Sequence, residues 1–159
     1  MTNKITEDPR IDPRIKEQFK NIEFPELSSG NMTREEMIAN LDSEEGKIEL
    51  MIYEAIFNDP ALDEAISSEG LRMETIEINS EPDGNTIKLL NIRPDTNDTL
   101  PCIYYIHGGG MEIGSCFYKL YQAFGRLIAH QNVSVIMVDF RNARVPSSAL
   151  EVAPFPAGL

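Results

Sequence analysis

The sequence predicts an α/β fold in which an antiparallel hairpin joins a parallel strand–helix–strand unit. Three observations carry that prediction. Apolar residues repeat at helical spacing over the first sixty residues and switch to alternation near Leu71. Two alternating runs, Arg72 to Ile78 and Thr86 to Ile92, flank the turn signal Pro82-Asp83-Gly84-Asn85. Two nearly continuous apolar runs, Cys102 to Ile106 and Val133 to Phe140, bracket an amphipathic stretch from Tyr118 to His130. Strand, helix and strand in that order make the two strands parallel.

The elements follow in chain order. Residues 1–13 are polar and punctuated by Pro9 and Pro13, and are expected to be loose. Ile15, Phe19 and Ile22 give Arg14 to Ile22 a short amphipathic helix, broken by Pro25 and Ser28-Ser29-Gly30. Thr33 with Glu36 forms a capping box ahead of Met37, Ile38 and Leu41. From Ser43 to Phe57 the residues Ile48, Met51, Ile52, Ala55 and Ile56 fall on one helical face. That stripe needs a partner: either the rest of the domain or, as a cap, the cover of an active site. Asn58-Asp59-Pro60 stops the helix. Pro94 to Thr99 is a polar loop, and Arg141 to Leu159, with Pro146, Pro154 and Pro156, a surface loop. The two apolar strands are expected to lie centrally, covered on both faces. The chain thus divides into a helical segment, 1–65, and an α/β segment, 66–159.

Charge and composition exclude several classes. Twenty-six acidic residues against 14 Lys and Arg give a net charge of -12. A nucleic-acid partner would need a basic patch, and an anionic membrane surface would repel this exterior. The N-terminus has no apolar signal region and no stretch approaches a membrane span, so a cytoplasmic location is expected. Cys102 and Cys116 are the only cysteines, His107 and His130 the only histidines. No zinc set of ordinary spacing can be written from them, and no metal or cofactor is called for. Two thiols fit a reducing compartment, and Cys102, inside the apolar strand, is expected to be buried.

The chemistry sits in the run Ile103-Tyr104-Tyr105-Ile106-His107-Gly108-Gly109-Gly110. An apolar strand stops at one histidine and opens onto three glycines. Without side chains the backbone can turn tightly and a substrate can approach its N–H groups. In acyl transfer such groups hold the oxygen that becomes negative in the transition state. A tight turn with no ligand is the plainer alternative. A phosphate loop is a third, but the Gly-Lys-Ser/Thr it needs is absent. His107 has no serine or cysteine beside it in sequence and suits a loop-fixing role better than that of a general base. His130, at a helix end, suits the helix dipole. Asp139 and Arg141 close the last strand, where a mutual ion pair or backbone pairing is favoured over catalysis.

The segment from Pro101 to Ser115, Pro-Cys-Ile-Tyr-Tyr-Ile-His-Gly-Gly-Gly-Met-Glu-Ile-Gly-Ser, resembles the hormone-sensitive-lipase branch of α/β-hydrolases, the bacterial family IV esterases. Val138-Asp139-Phe140-Arg141 resembles that family's Val-Asp-Tyr-Arg, with Phe for Tyr, and Pro154-Phe155-Pro156-Ala157 its Phe-Pro-Ala run. Asn142 to Val152 departs from the commoner Leu-Ala-Pro-Glu run. The resemblance implies the N-terminal half of an α/β-hydrolase sheet with a helical cap segment. It also implies a carboxylesterase-type activity on short-chain acyl esters and an oxyanion hole from Gly109 and Gly110, with His107 and Gly108 supporting the loop. The nucleophilic serine, the acid and the histidine base of the family lie on later segments that have no counterpart here. Ser115, flanked by Ile113 and Phe117 two positions away, is no nucleophile elbow. Three accounts fit. In the first, a C-terminal half present as a second chain, alone or in a homo-oligomer, completes the enzyme around a small ester substrate. In the second, the chain is an inactive truncated fragment. In the third, the whole protein binds a small molecule without catalysis, as do the plant gibberellin receptors that resemble this branch.

Overall fold

The computed structural model describes residues 4–21, 33–81, 84–148 and 151–153. The sequence-predicted ends of the first helix (Ile22), the hairpin turn Pro82-Asp83 and the Pro154–Ala157 run lie outside them. Two compact units result, Met1–Ser43 and Glu44–Leu159, whereas the sequence reading draws its segment boundary at residue 65.

The first unit holds three short helices, α1 (Lys4–Glu7), α2 (Pro13–Phe19) and α3 (Arg34–Leu41). The turn α1 falls in the stretch expected to be loose. Asp12 caps α2 by accepting from the Arg14 N–H at 2.8 Å, with Pro13 in the first turn, where its missing N–H costs nothing. The capping box of α3 forms as predicted. Thr33 Oγ1 accepts from Glu36 N at 3.2 Å, and Glu36 Oε2 from Thr33 N at 2.7 Å.

The second unit contains α4 (Glu44–Phe57), α5 (Ala61–Ala65), β1 (Leu71–Ser80), β2 (Asn85–Pro94), β3 (Cys102–Ile106), α6 (Lys119–Ala129) and β4 (Ser134–Asp139). The sheet order is β1-β2-β4-β3. β1 pairs antiparallel with β2 and β2 with β4, while β3 and β4 run parallel from Cys102↔Ser134 to Ile106↔Val138. This is the predicted hairpin joined to a parallel unit. The core lies between β2, β4 and α6, where Leu90, Ile92, Val135, Met137, Tyr121 and Ala129 are buried. Gly125 lets the helix sit on the sheet, since a Cβ there would come within 2.8 Å of Ile92 and Met137.

Three expectations are corrected. β4 is central, but β3 is an edge: β4 flanks one side and no described strand the other. Ile103, Tyr104 and Ile106 are consequently 41, 60 and 64% exposed. Cys102 is exposed for the same reason, and Cys116 is the buried thiol. The stripe of α4 also faces outward, with Ile48, Met51, Ile52 and Ile56 all exposed. The helix packs instead through two aromatics. Phe57 lies 5.4 Å from Tyr121 and 6.4 Å from Tyr118, and Tyr53 stacks on Phe57 at 4.0 Å.

One buried cation ties α5 to α6. Arg126 is 3% exposed. Its guanidinium donates to the Ile66 carbonyl at 2.8 Å and the Leu62 carbonyl at 3.1 Å, where the carbonyls at the end of α5 need donors. Charged hydrogen bonds contribute about 1.5–3 kcal/mol each. Arg126→Ala is therefore expected to cost about 3 kcal/mol or more of stability, read as a fall in the denaturant midpoint. Arg126→Lys should recover only part of it, because an ammonium cannot fork to both carbonyls.

Candidate active site

Strand β3 carries His107 to the carboxyl end of the parallel pair, the edge at which α/β sheets bind ligands. The loop that follows is left-handed at several points, with φ of +125° at Gly109 and +64° at Gly110. A Cβ on Gly109 would stand 2.0 Å from the Ile113 carbonyl oxygen, so this position admits glycine alone. At Gly110 a Cβ would meet nothing within 4 Å, and only the φ favours glycine. The Gly109 carbonyl accepts from Glu112 N at 3.1 Å and Ile113 N at 3.2 Å, which closes the loop on itself. The N–H groups of Gly109 and Gly110 donate to no acceptor among the described residues. They are two backbone donors held in a fixed turn at the edge of a sheet.

His107 supports that turn. Its ring is fully buried, stacked on Phe140 with centroids 4.2 Å apart and planes 9° off parallel. Nδ1 donates to the Gly108 carbonyl at 2.7 Å. Nε2 has no partner. Burial pulls the imidazole below its ordinary pKa of 6.5, outweighing the Gly108 hydrogen bond and the Asp139 charge, which act upward. The ring is therefore neutral at pH 7, and its 3.9 Å approach to Asp139 is not an ion pair. This is a loop-fixing histidine. A consequence for stability follows. The unfolded chain takes up the proton near 6.5 and the folded chain only lower, so stability is complete above that value and declines as pH falls below it. Denaturant midpoints should drop between pH 7 and about 5, and His107→Asn should flatten that part of the profile. The carboxylates with lowered pKa, Asp8, Asp12, Glu36 and Asp63, act only at more acid pH.

Asp139 is fully buried, and backbone pairing is its use, with the Ser115 hydroxyl added. It accepts from Ser115 Oγ at 2.6 Å, Cys116 N at 2.9 Å and Ser148 N at 2.7 Å. Serine, aspartate and histidine thus stand close together, yet they form no catalytic triad. The Ser115 proton points at the carboxylate rather than an imidazole, and the same oxygen accepts from Phe117 N at 3.1 Å. Burial, and after it the negative charge of Asp139, push the Cys116 thiol's pKa up, which leaves it inert. His130 Nε2 meets the Ser67 carbonyl at 2.8 Å, far from the glycine loop in the chain and on the α5 side of α6. Sequence reasoning found the loop but not what surrounds it. Periodicity puts Tyr121 on the amphipathic helix, and the fold sets its hydroxyl where a Cβ on Gly108 would come within 3.2 Å. Asn142, in sequence only the start of a run that departs from the family's, is buried and donates to the Gly114 carbonyl at 2.7 Å. No helix among the described residues is long and apolar enough to cross a membrane.

Comparison with known proteins places this geometry. No family model matches the chain. Among solved structures, the esterase Est22 is 49% identical with a TM-score of 0.81, over 99% of this chain and 46% of Est22. Brefeldin A esterase, a bacterial homologue of human hormone-sensitive lipase, is 27% identical with a TM-score of 0.73, over 97% of this chain and 42% of its own. A curated relative, Gut esterase 1 of Caenorhabditis elegans, is 42% identical over 50 residues, 31% of this chain and 9% of that protein. The chain therefore spans less than half the length of the solved esterases it matches. The α/β-hydrolase sheet, the His-Gly-Gly-Gly loop and these likenesses together show that the chain belongs to the hormone-sensitive-lipase-like, bacterial family IV branch of the esterases.

Proposed function

We propose that the chain supplies the oxyanion-holding part of a serine carboxylic-ester hydrolase that acts on short-chain acyl esters. The observation that carries this is the pair of unengaged N–H groups at Gly109 and Gly110, in a loop that fixes their direction. A serine attacks the ester carbonyl and a histidine takes its proton. The carbonyl oxygen, now negative, accepts from the two glycine N–H groups, the alcohol departs, and water releases the acid. Serine, histidine and acid come from polypeptide outside residues 1–159, because Ser115 and His107 are committed to other bonds. Est22, solved with p-nitrophenol, suggests p-nitrophenyl esters as the assay.

The test is intact-mass analysis of native material after treatment with a serine-directed phosphonate, alongside hydrolysis of p-nitrophenyl acetate and butyrate. Hydrolysis with label on a serine outside residues 1–159 supports the reading. Absence of both label and hydrolysis overturns it, and a small apolar molecule found bound in their place would point to a non-catalytic binder.

A further inference from the structure

We propose that Asn142 and Asp139 are positioning residues that set the direction of the Gly109 and Gly110 N–H groups, an inference that rests on the oxyanion reading above. The glycine loop has no regular structure to hold it. Its returning limb, residues 111–116, is instead pinned by the segment that leaves β4. Ala143 N donates to the Met111 carbonyl at 2.9 Å, and Arg144 N and Val145 N donate to the Glu112 carbonyl at 3.0 Å each. These backbone bonds need the leaving segment to be held in place, and two buried side chains do that. Asn142, 1% exposed, donates from Nδ2 to the Gly114 carbonyl at 2.7 Å. Gly114 in turn backs onto the start of the loop: a Cβ there would lie 3.0 Å from the Gly108 carbonyl oxygen and 3.2 Å from His107 Nδ1. Asp139, 0% exposed, gathers Ser115, Cys116 and Ser148 on one carboxylate, so both ends of the clamp share an anchor. Neither side chain bonds Gly109 or Gly110 directly. Both act through the loop.

Donors that aim at the transition state govern turnover more than ground-state binding. In the assembled esterase, Asn142→Ala and Asp139→Asn are expected to lower kcat by tenfold or more with KM within about twofold. Ser134→Ala removes a comparable polar bond, to Asn91 Oδ1 at 3.1 Å, at the opposite end of β4, and should leave kcat unchanged. Hydrogen exchange of the amides of residues 108–116 supplies a readout that needs no activity. Faster exchange in Asn142→Ala than in wild type, with Ser134→Ala like wild type, supports the clamp. If exchange in this segment is unaltered, or if kcat falls equally in all three variants, the positioning role is wrong. An assembly with accelerated loop exchange but no esterase activity even in wild type would overturn the oxyanion reading and leave the clamp standing.

Discussion

Gly109→Ala is expected to cut turnover of a short-chain ester by about a hundredfold or more while KM shifts little. The new Cβ would stand 2.0 Å from the Ile113 carbonyl oxygen, a backbone atom that cannot rotate away. The loop must open, and opening it breaks the bonds from Glu112 N and Ile113 N to the Gly109 carbonyl. The N–H groups of Gly109 and Gly110 then lose their shared direction. Gly110→Ala is the informative companion. Its Cβ meets nothing within 4 Å, so the only cost is the left-handed backbone, about 1–2 kcal/mol for a non-glycine residue. That variant should keep most of its turnover. Melting curves separate the two causes, because a fold-wide loss would lower both kcat and the midpoint. Similar, mild losses at both glycines would show that these N–H groups are not the oxyanion donors.

The two glycines also show what a sequence can reveal. A site made of backbone N–H groups is encoded by the absence of side chains, and three consecutive glycines at the end of an apolar strand are visible without a fold. The hairpin and the capping box at Thr33 were legible for a related reason: each is set by residues close in the chain. The parallel unit was legible from the order of its elements, two apolar runs around one amphipathic helix. The clamp was not. Asp139 meets Ser115 from 24 positions away and Asn142 meets Gly114 from 28, so only the packed sheet brings them together. Reading Asp139 beside Arg141 left a mutual ion pair and backbone pairing both open, and its carboxylate takes up backbone donors together with the Ser115 hydroxyl. Helix α4 misled for another reason. Periodicity identified a real apolar stripe at Ile48, Met51, Ile52 and Ile56, but periodicity cannot say which face meets this chain's own core. Tyr53 and Phe57 took that role.

Residues 1–159 expressed alone are expected to self-associate or precipitate, a second large effect that rests on the proposal that polypeptide outside these residues completes the site. Strand β3 has no described strand on one side, and such a backbone edge is a template for pairing with any other strand. Tyr105 turns toward α6, with its ring 6.1 Å from Tyr121 and 5.1 Å from Phe124. Alternation along the strand then sends Tyr104 and Ile106 to the opposite face, where they are 60 and 64% exposed. Leu120, Phe124 and Leu127 add 37, 44 and 49% exposed apolar side chains on α6. An open strand edge with exposed apolar side chains beside it is the kind of surface that associates. Co-expression with the complementary portion should give soluble material in which β3 pairs on both sides. The double variant Tyr104→Lys, Ile106→Lys places charge on the bare face next to the edge and should keep the isolated chain monomeric. The same charges should abolish complementation, since they would be buried in the completed enzyme without partners. Size-exclusion chromatography with light scattering reads the first effect and p-nitrophenyl ester hydrolysis the second. A monodisperse, cooperatively melting monomer from the wild-type chain alone would mean that this surface needs no partner.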